Sequence, residues 1–166
     1  MSPAAAPRHS PALALVTDPP DAERFRTYAP VYDLAAAAGG FSETQIPEPV
    51  GWLPVSGHTL SPDMFVAKVA GRSMEPLIPD GSWCLFRFYR GGTRNGKIVL
   101  VQHRDIADPE TGGSYTVKRY QSRKAADARG WRHVEIRLEP QNPEFSPIVL
   151  REDAEGEVRV VAELVD

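Results

Sequence analysis

Lys97-Ile98-Val99-Leu100-Val101-Gln102-His103 and Ser114-Tyr115-Thr116-Val117-Lys118-Arg119-Tyr120 are two runs rich in β-branched and aromatic residues, separated by Asp108-Pro109-Glu110-Thr111-Gly112-Gly113. Such runs form strands, and the Pro/Gly-rich break forms a turn, so the pair reads as an antiparallel hairpin. Asn95-Gly96 stands just before the first run and is itself a hairpin signal. Working outward, Met64 to Ala70 reads as an alternating β-type run that stops at Gly71, and Trp83 to Tyr89 is a further strand. Arg132–Leu138, Pro147–Leu150 and Glu157–Leu164 complete a set of roughly seven short strands joined by turns. The fold class read from this pattern is mainly β, a coiled sheet or partial barrel with little helix and no internal repeat.

The 166 residues suffice for one domain and a tail. Sixteen prolines and thirteen glycines favour short strands over long helices. Residues 1–30 are rich in Ala and Pro without sustained periodicity and read as a flexible tail or linker. Pro30-Val31-Tyr32-Asp33-Leu34 gives a short extended stretch, and residues 31–45 continue it through Ala35–Ala38 into Gly39-Gly40, ordinarily an alanine-rich linker or a helical turn with a glycine stop. Residues 46–166 form the domain. A net charge of −3 argues against direct DNA binding by this chain, because phosphate recognition needs a concentrated basic surface. The Arg and Lys residues between Arg119 and Arg132 read as a solvated hairpin rim. No apolar run is long enough to span a membrane, and no signal peptide is readable, so a cytoplasmic location is expected. The single cysteine, Cys84, lies in Trp83-Cys84-Leu85-Phe86 and reads as a small hydrophobe on a strand. His9, His58, His103 and His133 lack ligand spacing, and Asp105, Asp108 and Glu110 read as a polar turn, so neither a metal nor another cofactor is expected.

Two segments carry chemistry. Gly71-Arg72-Ser73-Met74-Glu75-Pro76 follows a strand; the glycine permits a sharp turn that projects the Ser73 hydroxyl. A Gly-x-Ser turn is common, and Ser73 could equally cap a short helical turn opened by Glu75-Pro76. In Tyr115–Tyr120, alternation puts Thr116, Lys118 and Tyr120 on one face and Tyr115, Val117 and Arg119 on the other. A surface lysine is the ordinary outcome. If the Lys118 face points inward, the amine loses water and its charged form is disfavoured; a shift from about 10.4 to about 7 corresponds to about 4–5 kcal/mol.

Gly71-Arg72-Ser73-Met74-Glu75-Pro76, Ile78-Pro79-Asp80-Gly81, Gly96-Lys97-Ile98-Val99, Thr116-Val117-Lys118-Arg119 and Leu138-Glu139-Pro140-Gln141-Asn142-Pro143 together resemble the LexA/UmuD-type self-cleaving peptidase family, in order from Val31 to Val149. The resemblance implies the coiled sheet of LexA C-terminal domains and signal peptidases. It implies Ser73 as nucleophile, Lys118 as its base, and the backbone amides of Arg72 and Ser73 as oxyanion donors. Family members cut themselves at an Ala-Gly or Cys-Gly bond, and Ala38–Gly39 lies 35 and 34 residues before Ser73. The chain's own N-terminal segment would then be the substrate. A homodimer, a RecA–single-stranded DNA filament as trigger, and a role in an SOS or phage-type stress response follow from the resemblance alone. Two other roles fit: a UmuD-like regulatory subunit of a DNA-repair polymerase, or a peptidase domain acting with a larger repressor or DNA-processing enzyme. Two features depart from the family. The Arg104–Gly113 loop is long, giving a Ser–Lys separation of 45 residues, and no helix-turn-helix is readable in residues 1–30.

Overall fold

The computed structural model describes residues 14–34, 48–102, 115–126, 132–152 and 159–166. Among them nine strands run in chain order: β1 Tyr28–Val31, β2 Gly51–Pro54, β3 Met64–Val69, β4 Ser82–Phe88, β5 Ile98–Gln102, β6 Tyr115–Ala126, β7 Arg132–Glu139, β8 Ile148–Glu152 and β9 Arg159–Leu164. All nine belong to one mixed sheet of spatial order β2-β1-β3-β4-β9-β5-β6-β7-β8. The described residues hold no α-helix, only a single 3-10 turn at Asp21–Glu23. The mainly β class is therefore the observed one.

The central hairpin forms in the expected register, with Ile98 opposite Arg119 and Gln102 opposite Tyr115. The Asn95-Gly96 signal, by contrast, does not join β4 to β5. The last strand, β9, inserts between them, pairing Phe86 with Leu164 on one side and Leu100 with Ala162 on the other. Asn95 instead braces β6: its Oδ1 accepts from the Ser122 amide at 2.8 Å, and the Gly96 amide donates to the Tyr120 carbonyl at 2.8 Å. A turn dipeptide specifies a local reversal of the chain, and a distant strand can still take the vacant edge.

The sheet also begins ahead of residue 46, the expected start of the domain, and inside the 1–30 tail. Tyr28–Pro30 pair with β2, and Ala29 and Val31 are each 1% exposed. Val16 forms a two-way backbone bridge with Trp52, at 2.9 and 2.8 Å, which covers the edge of β2. Leu15 packs so closely on Gly51 that a Cβ there would stand 2.6 Å from the Leu15 Cβ. Residues 1–13 lie outside the described residues, as do Ala35–Gly40 with the Ala38–Gly39 bond and the Arg104–Gly113 loop.

Alternation divides the apolar residues by face. Phe65, Ala67, Cys84, Phe86, Phe88, Leu100, Val117 and Ala162 form the largest cluster. On the other face, Ala29, Val31, Leu53, Met64, Val66 and Leu85 form a second cluster, and Val99, Val101, Tyr120, Ile136 and Leu138 a third. Cys84 is buried in the first, as its apolar setting indicated. Phe65 anchors that cluster, with its ring 5.6 Å from Phe86, 4.8 Å from Phe88 and 5.6 Å from Tyr32. Phe65→Ala is expected to destabilise the fold by about 3–5 kcal/mol, read as a lower urea midpoint at unchanged slope.

Candidate active site

The loop joining β3 to β4 carries Ser73. Val69 pairs with Ser82, and the Gly81 amide donates to the Val69 carbonyl at 2.8 Å, so the intervening residues leave and rejoin the sheet at one point. Gly71 adopts φ 100°, the left-handed region in which a side chain is strained, and its amide donates to Asp80 Oδ1 at 2.7 Å. Arg72 Nε donates to Glu75 Oε1 at 2.9 Å, and the Ile78 amide to the Met74 carbonyl at 2.8 Å. Met74 and Ile78 sink into the first cluster at 1% and 4% exposure. The segment is thus a braced turn, with the single helical-type bond from Ile78 to Met74 after Ser73 and no continuing helix. Ser73 is buried, 8% exposed.

Lys118 lies on β6 opposite Val99, which is fully buried. Partners across an antiparallel ladder share a face, so Thr116, Lys118 and Tyr120 share the face of the third cluster. Lys118 is 5% exposed, and its Nζ donates to Thr116 Oγ1 at 2.6 Å. The surface-lysine outcome is excluded.

Ser73 lies on the loop after β3 and Lys118 on β6, and β4, β9 and β5 lie between those two strands in the sheet. A chain of contacts nevertheless connects them. The Asn142 amide donates to the Ser73 carbonyl at 2.9 Å, and Asn142 Nδ2 to the Arg72 carbonyl at 3.0 Å. Gln141 Oε1 accepts from Arg119 Nε and Nη2 at 3.1 and 3.0 Å, and Glu139 pairs with Arg119, the neighbour of Lys118. The sheet must therefore coil until the loop after β3 meets the turn after β7.

β1 and the residues up to Leu34 end in the same region, while the Ala38–Gly39 bond itself lies outside the described residues. β1 and β3 are parallel, with Val31 beside Val66 and the Tyr32 amide donating to the Val66 carbonyl at 3.0 Å. Parallel neighbours deliver their C-terminal ends to the same end of the sheet. Tyr32 joins the first cluster, together with Met74, and Leu34 packs against it. Burial, and then the Glu48 carboxylate, push the Tyr32 phenol above its ordinary value. A cleft of about 240 Å³ opens beside this exit, lined by Tyr32, Asp33, Val50, Lys68 and Trp83 among others, but by neither Ser73 nor Lys118. Among the described residues no three His, Cys, Asp or Glu side chains are grouped to hold a metal, and no helix is long and apolar enough to cross a membrane.

The family model described as Peptidase S24-like matches residues 30–165. The chain belongs to that family. A LexA repressor from Geobacter metallireducens is 29% identical to this S24-like chain over 127 residues. The match covers 76% of the chain but 54% of the relative, so the chain spans about half the length of that protein.

Asn142 and Asp80 are the residues that reading for chemistry passed over. Both stood inside motif segments, and Asn142-Pro143 is a turn signal, but only the folded contacts show what they brace. Gly71→Ala is expected to destabilise the S24-like domain by about 1–2 kcal/mol through its positive φ, read as a lower melting temperature.

Proposed function

We propose that the chain is a serine peptidase that cuts its own Ala38–Gly39 bond, with Ser73 as nucleophile and Lys118 as base. The observation that carries this reading is the parallel pairing of β1 with β3. Ala38 lies seven residues beyond Val31, and Ser73 seven residues beyond its partner Val66. Seven extended residues span up to about 25 Å, ample for a loop to double back across one end of the sheet.

In the proposed reaction neutral Lys118 takes the proton from Ser73 Oγ as that oxygen attacks the Ala38 carbonyl. The backbone amides of Ser73 and Arg72 receive the charge that develops on the carbonyl oxygen. Collapse breaks the Ala38–Gly39 bond, and Lys118 passes its proton to the leaving Gly39 nitrogen. The Ala38 ester on Ser73 is then hydrolysed: water loses a proton to Lys118, adds to the ester carbonyl, and releases the Ser73 hydroxyl with the Ala38 carboxylate. Support for the base lies in the burial of Lys118 among apolar neighbours, which disfavours an ammonium. The Thr116 hydroxyl holds the amine by a directed hydrogen bond. Small residues at the scissile bond leave the carbonyl open to attack.

By likeness to the LexA repressor, we place this cleavage in a cytoplasmic regulatory response of SOS or phage type. There the chain acts as a homodimer, and a RecA–single-stranded DNA filament favours the docked loop. Repression itself would need a DNA-binding partner or segment.

Incubation of the purified chain at raised pH should yield fragments 1–38 and 39–166 by intact-mass spectrometry. Cutting should accelerate as the pH rises and Lys118 loses its proton, and it is best followed below about pH 10, the ordinary phenol value. Above that value the raised Tyr32 pKa works against the fold, because the unfolded state releases its phenol proton first. Ser73→Ala and Lys118→Ala should each slow cutting by about a thousandfold or more. Equal fragment yields in all three proteins would remove the dyad.

A further inference from the structure

We infer that Asn142 is a positioning residue for this attack: it sets the orientation of the Arg72–Ser73 peptide, whose N–H is the oxyanion donor in the mechanism above. The inference rests on the reading of Ser73 as nucleophile. Asn142 is 6% exposed in the turn between β7 and β8. Its Nδ2 donates to the Arg72 carbonyl at 3.0 Å, and its backbone amide to the Ser73 carbonyl at 2.9 Å. Two successive carbonyls of the nucleophile turn are thereby drawn toward one residue. In a planar trans peptide the C=O and N–H point in opposite directions. Fixing the Arg72 carbonyl toward Asn142 therefore turns the Ser73 N–H to the other side and holds it there.

The chemistry calls for asparagine in particular. Asn142 Oδ1 accepts from the Glu144 amide at 3.0 Å while Nδ2 donates to Arg72, so one short side chain must supply an acceptor and a donor together. Aspartate has the shape but no donor; alanine has neither group. Arg72 Nη2 lies 3.7 Å from Glu144 Oε2 across the same seam, and Gln141 holds Arg119 beside the base. Adjacent residues of one turn thus fix the nucleophile and the base strand relative to each other.

The test is the rate of self-cleavage against pH for wild type, Asn142→Asp and Asn142→Ala, with melting temperatures measured alongside. Each folded variant should lower the limiting rate at high pH by about ten- to a hundredfold while the alkaline midpoint stays in place. A purely structural role would instead let water reach Lys118, moving the midpoint to higher pH or lowering the melting temperature, with the limiting rate unchanged. That pattern, or a wild-type limiting rate in folded Asn142→Asp, overturns the inference. Asn142→Asp is isosteric and keeps the acceptor for Glu144, so it carries the test should Asn142→Ala fail to fold. Wild type that does not cut, or cuts equally well as Ser73→Ala, would sink the dyad; Ser73-dependent cutting undiminished in Asn142→Asp would sink only the role of Asn142.

Discussion

The hydrogen bonds from Asn142 to the carbonyls of Arg72 and Ser73 tie the loop after β3 to the turn after β7, closing a coiled sheet on itself. In a flat sheet of this strand order, β3 and β6 would lie apart with three strands between them. Right-handed twist accumulates from strand to strand. The bulge between Leu100 and Val101, where β5 meets β9, adds bending near the middle of the sheet. Curvature brings the loop after β3 within reach of the turn after β7, and the Asn142 contacts then fix the approach.

Packing sets the chemistry within that frame. Met74 and Ile78 tie the serine loop to the cluster built on Phe65 and Phe86, whereas Lys118 projects from the face of Val99, Tyr120 and Leu138. The serine loop and the lysine strand are thus held by separately packed clusters, joined through the turn that carries Gln141 and Asn142. Burying an amine removes several kcal/mol of hydration unless the charge is lost or compensated. A neutral amine accepts a proton from a hydroxyl, so the burial of Lys118 accords with the base proposed for it.

The strands Met64–Val69 and Ile98–Gln102 were legible because short apolar and β-branched runs bounded by turn residues are a local property of the chain. The β5–β6 hairpin was legible for the same reason. The insertion of β9 between β4 and β5 was not, since nothing near Asn95-Gly96 reports on residues some 60 positions later. The β1–β3 pairing escaped in the same way: Tyr28–Val31 is four residues long, carries a proline, and looks like the end of a linker until Val66 lies beside it. At the candidate site, the residue types proposed to do chemistry stood out, Ser73 after a turn glycine and Lys118 within an apolar strand. Those that hold geometry, Asn142 and Asp80, are ordinary turn residues whose partners lie elsewhere in the chain.

The connection between β1 and β2 suggests how such a reaction could be kept in check without any change in the dyad. Val50 donates to the Val31 carbonyl at 2.9 Å, so the loop carrying the proposed scissile bond is closed at its base and its ends cannot separate. Tethering of this kind gives a high effective concentration at the serine, yet productive attack also needs the Ala38 carbonyl to displace water and enter the seam in extended form. For a loop that exchanges between docked and undocked forms, the rate of the proposed cutting would scale with the docked population. A partner that binds only the docked form need contribute no catalytic group. A hundredfold preference, about 2.7 kcal/mol, raises a docked population of one per cent to about half. Control would reside in the loop and whatever holds it, while the braced serine turn and the buried lysine remain unchanged.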